Sequence, residues 1–561
     1  MCQTQYPSHI NQERRHTDMR IFKILFTVLL AIGCHMGAHA SVTYSDLQKL
    51  QMTVVAIDRY YVDTVNADKL IDNAINGMLE KLDPHSKYIP KSEVQKMNEP
   101  LDGKFEGIGV VFQMMEDTLL VIQTISGGPS EKVGIFAGDR IVYVNDTTIA
   151  GVNMQNTDIM KKLRGPKGTS VNVKILRRGV KELIEFKIIR DVIPIYSIDA
   201  AYMVDDKIGY IKVNKFSETT LQEFNEAMDK LKAKGMKSLI LDLQDNGGGY
   251  LKTAVQLAST ILPSNKLVVY SEGVSQPRET FTTTGKPSFE KGEVVVLVNE
   301  SSASASEILS GSIQDWDRGL IVGRRTFGKG LVQKPIPLPD GAQIRLTVAQ
   351  YFIPSGRCVQ RPYKDNLKDY DKDFIERYNR GELMHEDSIS FPDSLKYFTL
   401  EKKRPVYGGG GIMPDLFVPL DTTKYTKYHR NLAAKNVLNN FVLNYLDNNR
   451  SSLEKKYNVK GNEKKKEAGF TEFNRTFAIS DNDLKEITDA GEKEKVEFDE
   501  EQFKQSKALI KKQVKAMIAR DLWNTNEYYQ IMNDENPIYL KGVEALKNKA
   551  LYDRGMSSKG K

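Results

Sequence analysis

Residues 238–262 read SLILDLQDNGGGYLKTAVQLASTIL. The first six are almost wholly apolar and end at a turn signal, the pattern of a strand buried on both faces. Gln244 to Gly249 break the run. From Tyr250 onward apolar residues recur every three or four positions, which predicts a helix. The same unit appears on either side. KIGYIKV (207–213) precedes a helical stretch at 217–234, and EVVVLVN (293–299) precedes SEILSGSIQDW (306–316). LIVG (320–323) and RLTVAQYFI (345–353) follow. Alternating strand and helix with apolar strands predicts an α/β layer structure on a largely parallel sheet, over residues 193–420.

The flanking regions differ in character. Residues 101–192 hold short β-branched runs such as GIGVVFQ, TLLVIQTI and SVNVKILRR, divided by Gly, Asp and Asn, with one helical piece near 154–163. They predict a small, mostly β module. Residues 41–100 have helical spacing and end at LDPHSKYIP, where two prolines stop the helix. Residues 360–407 lack a clear period, and YGGGGIMP forms a Gly-rich joint after them. Residues 421–561 are charged and helical, and their lysine runs read as solvated faces.

With 561 residues, 40% apolar and 27% charged, the chain has ordinary globular composition and room for several domains. A net charge of +7, without a concentrated basic motif, does not mark a nucleic-acid binder. Residues 1–40 read as an export signal. Arg20 and Lys23 precede the apolar stretch 24–32, and Ala38-His39-Ala40 supplies a small-x-small cleavage site. An uncleaved anchor helix and lipidation at Cys34 are the other readings, and residues 1–18 can be a misassigned extension before Met19. Each places the protein outside the cytoplasm, in the periplasm or cell envelope. Downstream only Cys358 remains, so no intrachain disulfide is expected, and His85, His385 and His429 are too scattered for a metal site.

Residues 299–307, NESSASASE, set four serines between a predicted strand and helix. The plain reading is a capping box, Ser304 with Glu307. The functional one is a nucleophile at a helix N-terminus, where free N–H groups favour developing negative charge. Such a serine needs a base, and a lysine made neutral by burial can serve. Lys329 in RTFGKGLVQ lies beyond one helix and one strand, between two glycines that permit close approach. GRRTFGKG nearly matches a phosphate loop, but Gly330 stands where the magnesium-binding hydroxyl should be, and prolines follow; nucleotide binding is not expected. Gly247 to Gly249 read either as a tight turn or as N–H groups offered to an oxyanion.

SASASE, FGKGLVQ and LQDNGGG in this order, with LDPHS and YFIPSGR…GGGGIMPD, resemble the carboxy-terminal processing (tail-specific) proteases over residues 45–418. The resemblance implies a crotonase- or Clp-protease-like α/β core with an inserted PDZ domain and helical terminal regions. It implies Ser304 as nucleophile, Lys329 as base and Gln333 as the group orienting the lysine, with Ser302 and Ser306 structural. It implies an oxyanion hole from the N–H groups of Ala305 and Gly248. Gln244 and Gly247 stand where family members commonly carry Arg and Pro, so Gly247 is the alternative donor. The loop Gly107, Ile108, Gly109 and Val110 would receive a substrate tail as an added strand. No metal or cofactor is implied. Partners would be proteins with exposed C-terminal tails, and the charged helical ends could support a homodimer or an adaptor. The competing reading is a catalytically inactive PDZ-bearing scaffold on the same fold.

Overall fold

The computed structural model describes residues 42–363, 370 and 372–557; the expected export signal lies outside them. At the centre is a six-stranded sheet in the order Ile198–Met203, Ile208–Val213, Ser238–Asp242, Val294–Val298, Leu320–Gly323, Leu416–Phe417. The first pair is antiparallel and the others are parallel. Each inner strand divides its side chains between two cores. Val294, Val296 and Val298 enter one apolar cluster, and Val295 and Leu297 enter the other. Period-two alternation within an all-apolar strand therefore fills both faces.

The first cluster is closed by helices Thr220–Ala233, Leu251–Ile261 and Ala305–Asp315. Every residue of Ala305–Asp315 is buried, including Ser306, Glu307, Ser310, Ser312, Gln314 and Asp315. The second cluster is closed by Pro537–Lys547 and Lys549–Gly555 through Ile538, Tyr539, Leu551 and Tyr552. The last two helices thus complete the six-stranded sheet, although more than a hundred residues separate them from its last strand. A second, antiparallel sheet carries Lys87–Ile89, Gln343–Phe352, Leu267–Gly273 and Gln276–Thr282, with Leu331–Pro337 also paired to Gln343–Phe352.

The β module is an insertion with its own core of Leu119, Val121, Ile141 and Ile175. Lys104–Gly107 enters it, Asp191–Pro194 leaves it, and these two strands pair with each other. Its sheet runs Val110–Met115, Thr118–Thr124, Arg140–Val144, Ser170–Leu176, Ile184–Ile189. Leu120 and Ile122 of this sheet meet Leu443 of a separate helical domain, and Arg140 pairs with Asp447 at 3.1 Å. The N-terminal helix Tyr44–Tyr60 buries none of its residues, and Ala67–Leu79 buries only Leu79.

Candidate active site

Three loops leave the C-terminal ends of neighbouring parallel strands, where open α/β sheets place their sites. They follow Asp242, Val298 and Gly323. The second carries the serines, and the fold separates their roles. Ser301 is exposed. Ser302 Oγ donates to the Leu243 carbonyl at 2.7 Å, and Ser306 Oγ donates to the Asn246 carbonyl at 2.9 Å; both are fully buried. Ser304 is partly accessible and sits at φ 56°, ψ −113°. A non-glycine residue at positive φ is strained, and a serine raised on a sharp strand-to-helix turn presents its hydroxyl outward.

The loop after Gly323 brings Lys329 beside this turn, and Glu307 connects the two. One oxygen of its carboxylate, Oε2, accepts the N–H of Ser304 at 2.9 Å and that of Lys329 at 2.8 Å. Oε1 accepts the Thr326 hydroxyl and the Gly328 N–H, each at 2.6 Å. Burial pushes the Glu307 pKa up and these four donors oppose it. Tyr351, also buried, places its hydroxyl within hydrogen-bond reach of the Ser304 carbonyl at 3.1 Å and of the Lys329 carbonyl. The glycines beside Lys329 have a different use from the one expected. A Cβ on Gly330 would stand 2.8 Å from the Gln360 nitrogen, and one on Gly328 would stand 3.2 Å from the Gly411 nitrogen. They let the loop pack on its supporting segments, which include the Arg377 guanidinium donating to the Arg325 and Thr326 carbonyls.

Lys329 Nζ donates to Gln333 Oε1 at 3.2 Å, and Gln333 Nε2 donates to the His85 carbonyl. The amide is thereby fixed with its oxygen toward the lysine. Burial lowers the Lys329 pKa, the positive charges of Arg345 and Lys87 lower it further, and Glu307 and Asp83 oppose them. The His85 ring is itself held near neutral, its pKa pushed down to about 4 by burial and the Lys329 charge.

The third loop abuts the serine turn. A Cβ on Gly248 would lie 2.8 Å from Ser304 Cβ and 3.0 Å from the Ala305 nitrogen. Buried Asn246 organises this corner. Its Nδ2 donates to the Val213 carbonyl at 2.8 Å, its Oδ1 accepts the Gly248 N–H at 2.8 Å, and its carbonyl accepts the Ala303 N–H at 3.0 Å. The Gly248 amide is therefore engaged by Asn246. Among the described residues the amides of Gly247 and Ala305 have no hydrogen-bond acceptor. Sequence reasoning passed over Asn246 and Tyr351, weighed His85 only as a metal ligand, and read Glu307 only as a cap; no local pattern distinguishes them.

In the β module, Phe105, Ile108, Gly109, Val110 and Phe112 face Met160 and Leu163 of helix Asn156–Leu163, and Arg164 just after it, across a small apolar groove of about 70 Å³. Val110–Met115 is an edge strand, free to accept another strand. Gly109 has φ 74°, and the turn it makes sets the loop at the groove's end.

Comparison with known proteins gives these features a common origin. Residues 207–366 match peptidase family S41, residues 107–188 a PDZ domain, and residues 34–93 the N-terminal domain of the activating protease CtpB. Residues 428–524 match a family of unknown function. The carboxy-terminal-processing protease of Bartonella bacilliformis is 32% identical over 356 residues, covering 61% of this chain and 81% of that one. The carboxy-terminal processing protease CtpA of Bacillus subtilis is 34% identical over 339 residues, covering 59% and 72%. A serine-type peptidase carrying an inserted PDZ domain is the class that fold and matches define. The chain belongs to the carboxy-terminal processing protease family.

Proposed function

We propose that this chain is an exported endopeptidase that cuts proteins in or near their C-terminal tails through a Ser304–Lys329 acyl-enzyme. The observation that carries the reading is the shared hold on Ser304 and Lys329 by Glu307 and Tyr351. Neutral Lys329 Nζ takes the Ser304 Oγ proton as Oγ attacks the scissile carbonyl. The tetrahedral oxyanion is met by the N–H of Ala305 and of a glycine-loop residue, either Gly247 or Gly248, the latter by giving up its bond to Asn246 Oδ1. The C–N bond breaks, the lysine gives its proton to the leaving amine, and the acyl-enzyme forms. Water, deprotonated by the same lysine, then releases the acid. Gln333 keeps the lysine amine oriented throughout. The tail would lie along Val110–Met115 with its carboxylate at Gly107, Ile108, Gly109 and Val110.

The exposed apolar side of Tyr44–Tyr60, with Leu47, Met52 and Val55, supports a second copy or an adaptor protein as its cover. Export rests on the sequence of residues 19–40, and no helix among the described residues is long and apolar enough to cross a membrane. The test is hydrolysis of an unstructured protein with an apolar C-terminal tail by wild type, Ser304→Ala and Lys329→Ala. Loss of cleavage in both variants supports the reading. Cleavage that survives Ser304→Ala, or tail binding without cleavage by wild type, contradicts it.

A further inference from the structure

The antiparallel sheet behind the lysine holds an unusual pair. Lys87 and Arg345 are direct cross-strand partners. Like charges placed directly opposite each other are unfavourable. Among the described residues neither side chain makes a salt bridge; the one polar contact of Arg345 is to Asn98 Oδ1 at 3.3 Å. The nearby Asp83 carboxylate forms no salt bridge with either of them and is engaged elsewhere. Asp83 is consumed by the His85 and Ser86 N–H groups and by the hydroxyls of Ser86 and Thr347.

The pair also faces the catalytic groups. On the neighbouring strand Gln333 is the partner of Thr347, and Pro335 is the partner of Arg345. Directly paired residues share a face, as do residues two apart on one strand, so Gln333, Thr347, Arg345 and Lys87 lie on one side of the sheet. The charge of Arg345 reaches both Lys329 and the hydroxyl of Tyr250 in the glycine loop. Its place on the strand next to Gln333, which accepts from Lys329 Nζ, sets Arg345 beside the lysine loop.

We propose that Lys87 and Arg345 form a carboxylate-binding subsite beside the catalytic groups, filled by the substrate: by its terminal carboxylate or by an acidic side chain next to the cut. The inference rests on the Ser304–Lys329 reading of the cleft. A guanidinium offers a planar fork to a carboxylate and an ammonium a mobile point charge, so together they close on one anion. No carboxylate of the described residues forms a salt bridge with either cation, and the bound substrate would relieve the repulsion between them.

The test uses one peptide sequence prepared as free acid and as C-terminal amide, and amidated peptides with Asp or Asn at each position after the cut. Full-length wild type and the double variant Lys87→Gln/Arg345→Gln are compared by the ratio of kcat/KM between charged and neutral partners. Wild type should favour the carboxylate form by roughly tenfold or more, and the double variant should reduce the ratio to within about threefold. Discrimination between acid and amide assigns the terminal carboxylate, and discrimination between Asp and Asn assigns a side chain. A wild type without either preference, or a double variant that keeps it, overturns the subsite; the latter result would place carboxylate reading elsewhere, as in the PDZ groove. Should the double variant fail to fold, Lys87→Glu at the exposed position must weaken the preference at least as clearly. Should wild type hydrolyse nothing, or Ser304→Ala hydrolyse equally well, the catalytic reading fails by itself. The same peptide ratios are then read as binding to the Ser304→Ala protein, with the same outcomes deciding the subsite.

Discussion

The amides of Ser304 and Lys329 point at a single atom, Glu307 Oε2, at 2.9 and 2.8 Å. Two loops from different strands thus share one acceptor, and Tyr351 holds their carbonyls from the other side. Positioning of this kind lets a hydroxyl and an amine meet repeatedly in one geometry. Glu307→Ala would leave four buried donors without their acceptor. We expect a loss of about 3–5 kcal/mol of stability, seen as a lower Tm, together with loss of peptidase activity. Glu307→Gln should fold better than Glu307→Ala and remain strongly impaired, because an amide has one acceptor oxygen for four donors.

Tyr351→Phe keeps the ring and removes only the hydroxyl. It should cost about 1 kcal/mol in stability and lower kcat about tenfold, with KM little changed. An unchanged kcat would mean that Glu307 alone sets the geometry.

The pH dependence follows from Lys329. Its pKa is lowered by burial and by Arg345 and Lys87. A base must be neutral to accept a proton, so kcat/KM rises as pH increases through that pKa and is lost below it. Arg345→Gln removes a positive neighbour and raises the lysine pKa. The rising limb of the profile should therefore move to higher pH, and a shift to lower pH would contradict the assignment. Gln333→Ala should lower kcat by about ten- to a hundredfold through a misdirected amine.

Gly248→Ala tests how closely the glycine loop must approach the nucleophile. The position has φ 102°, and the added methyl would stand 2.8 Å from Ser304 Cβ. Activity should fall at least a hundredfold while the fold, judged by circular dichroism, survives. Gly247→Ala meets no atom within 4 Å and should be far milder, unless Gly247 supplies the oxyanion donor through a conformation that alanine resists.

The α/β core was legible because its strands are continuous apolar runs and its helices keep the three- and four-residue period. Ser304 stood out as the candidate nucleophile through the family resemblance, because a serine between a strand and a helix reads by itself equally well as a cap. What escaped is non-local. Glu307 looks like an ordinary capping residue until the Lys329 loop folds onto it. Asn246 reads as a turn residue, yet its side chain engages the Gly248 amide, a competition no sequence motif displays. The helices at 537–555 read as part of a charged C-terminal region. They close the far face of the core sheet because Ile538, Tyr539, Leu551 and Tyr552 happen to share the side that meets Val295 and Leu297. Removing residues from 537 onward should accordingly unfold the core, giving insoluble protein rather than a shorter active enzyme.

The most direct test of the Ser304–Lys329 assignment is to trap the acyl-enzyme with an activated peptide ester and locate the adduct by mass spectrometry. The account predicts a single acyl group on Ser304, absent from Ser304→Ala and formed far more slowly by Lys329→Ala. An adduct on Ser302, Ser306 or Cys358, or one that persists in Ser304→Ala, would contradict it.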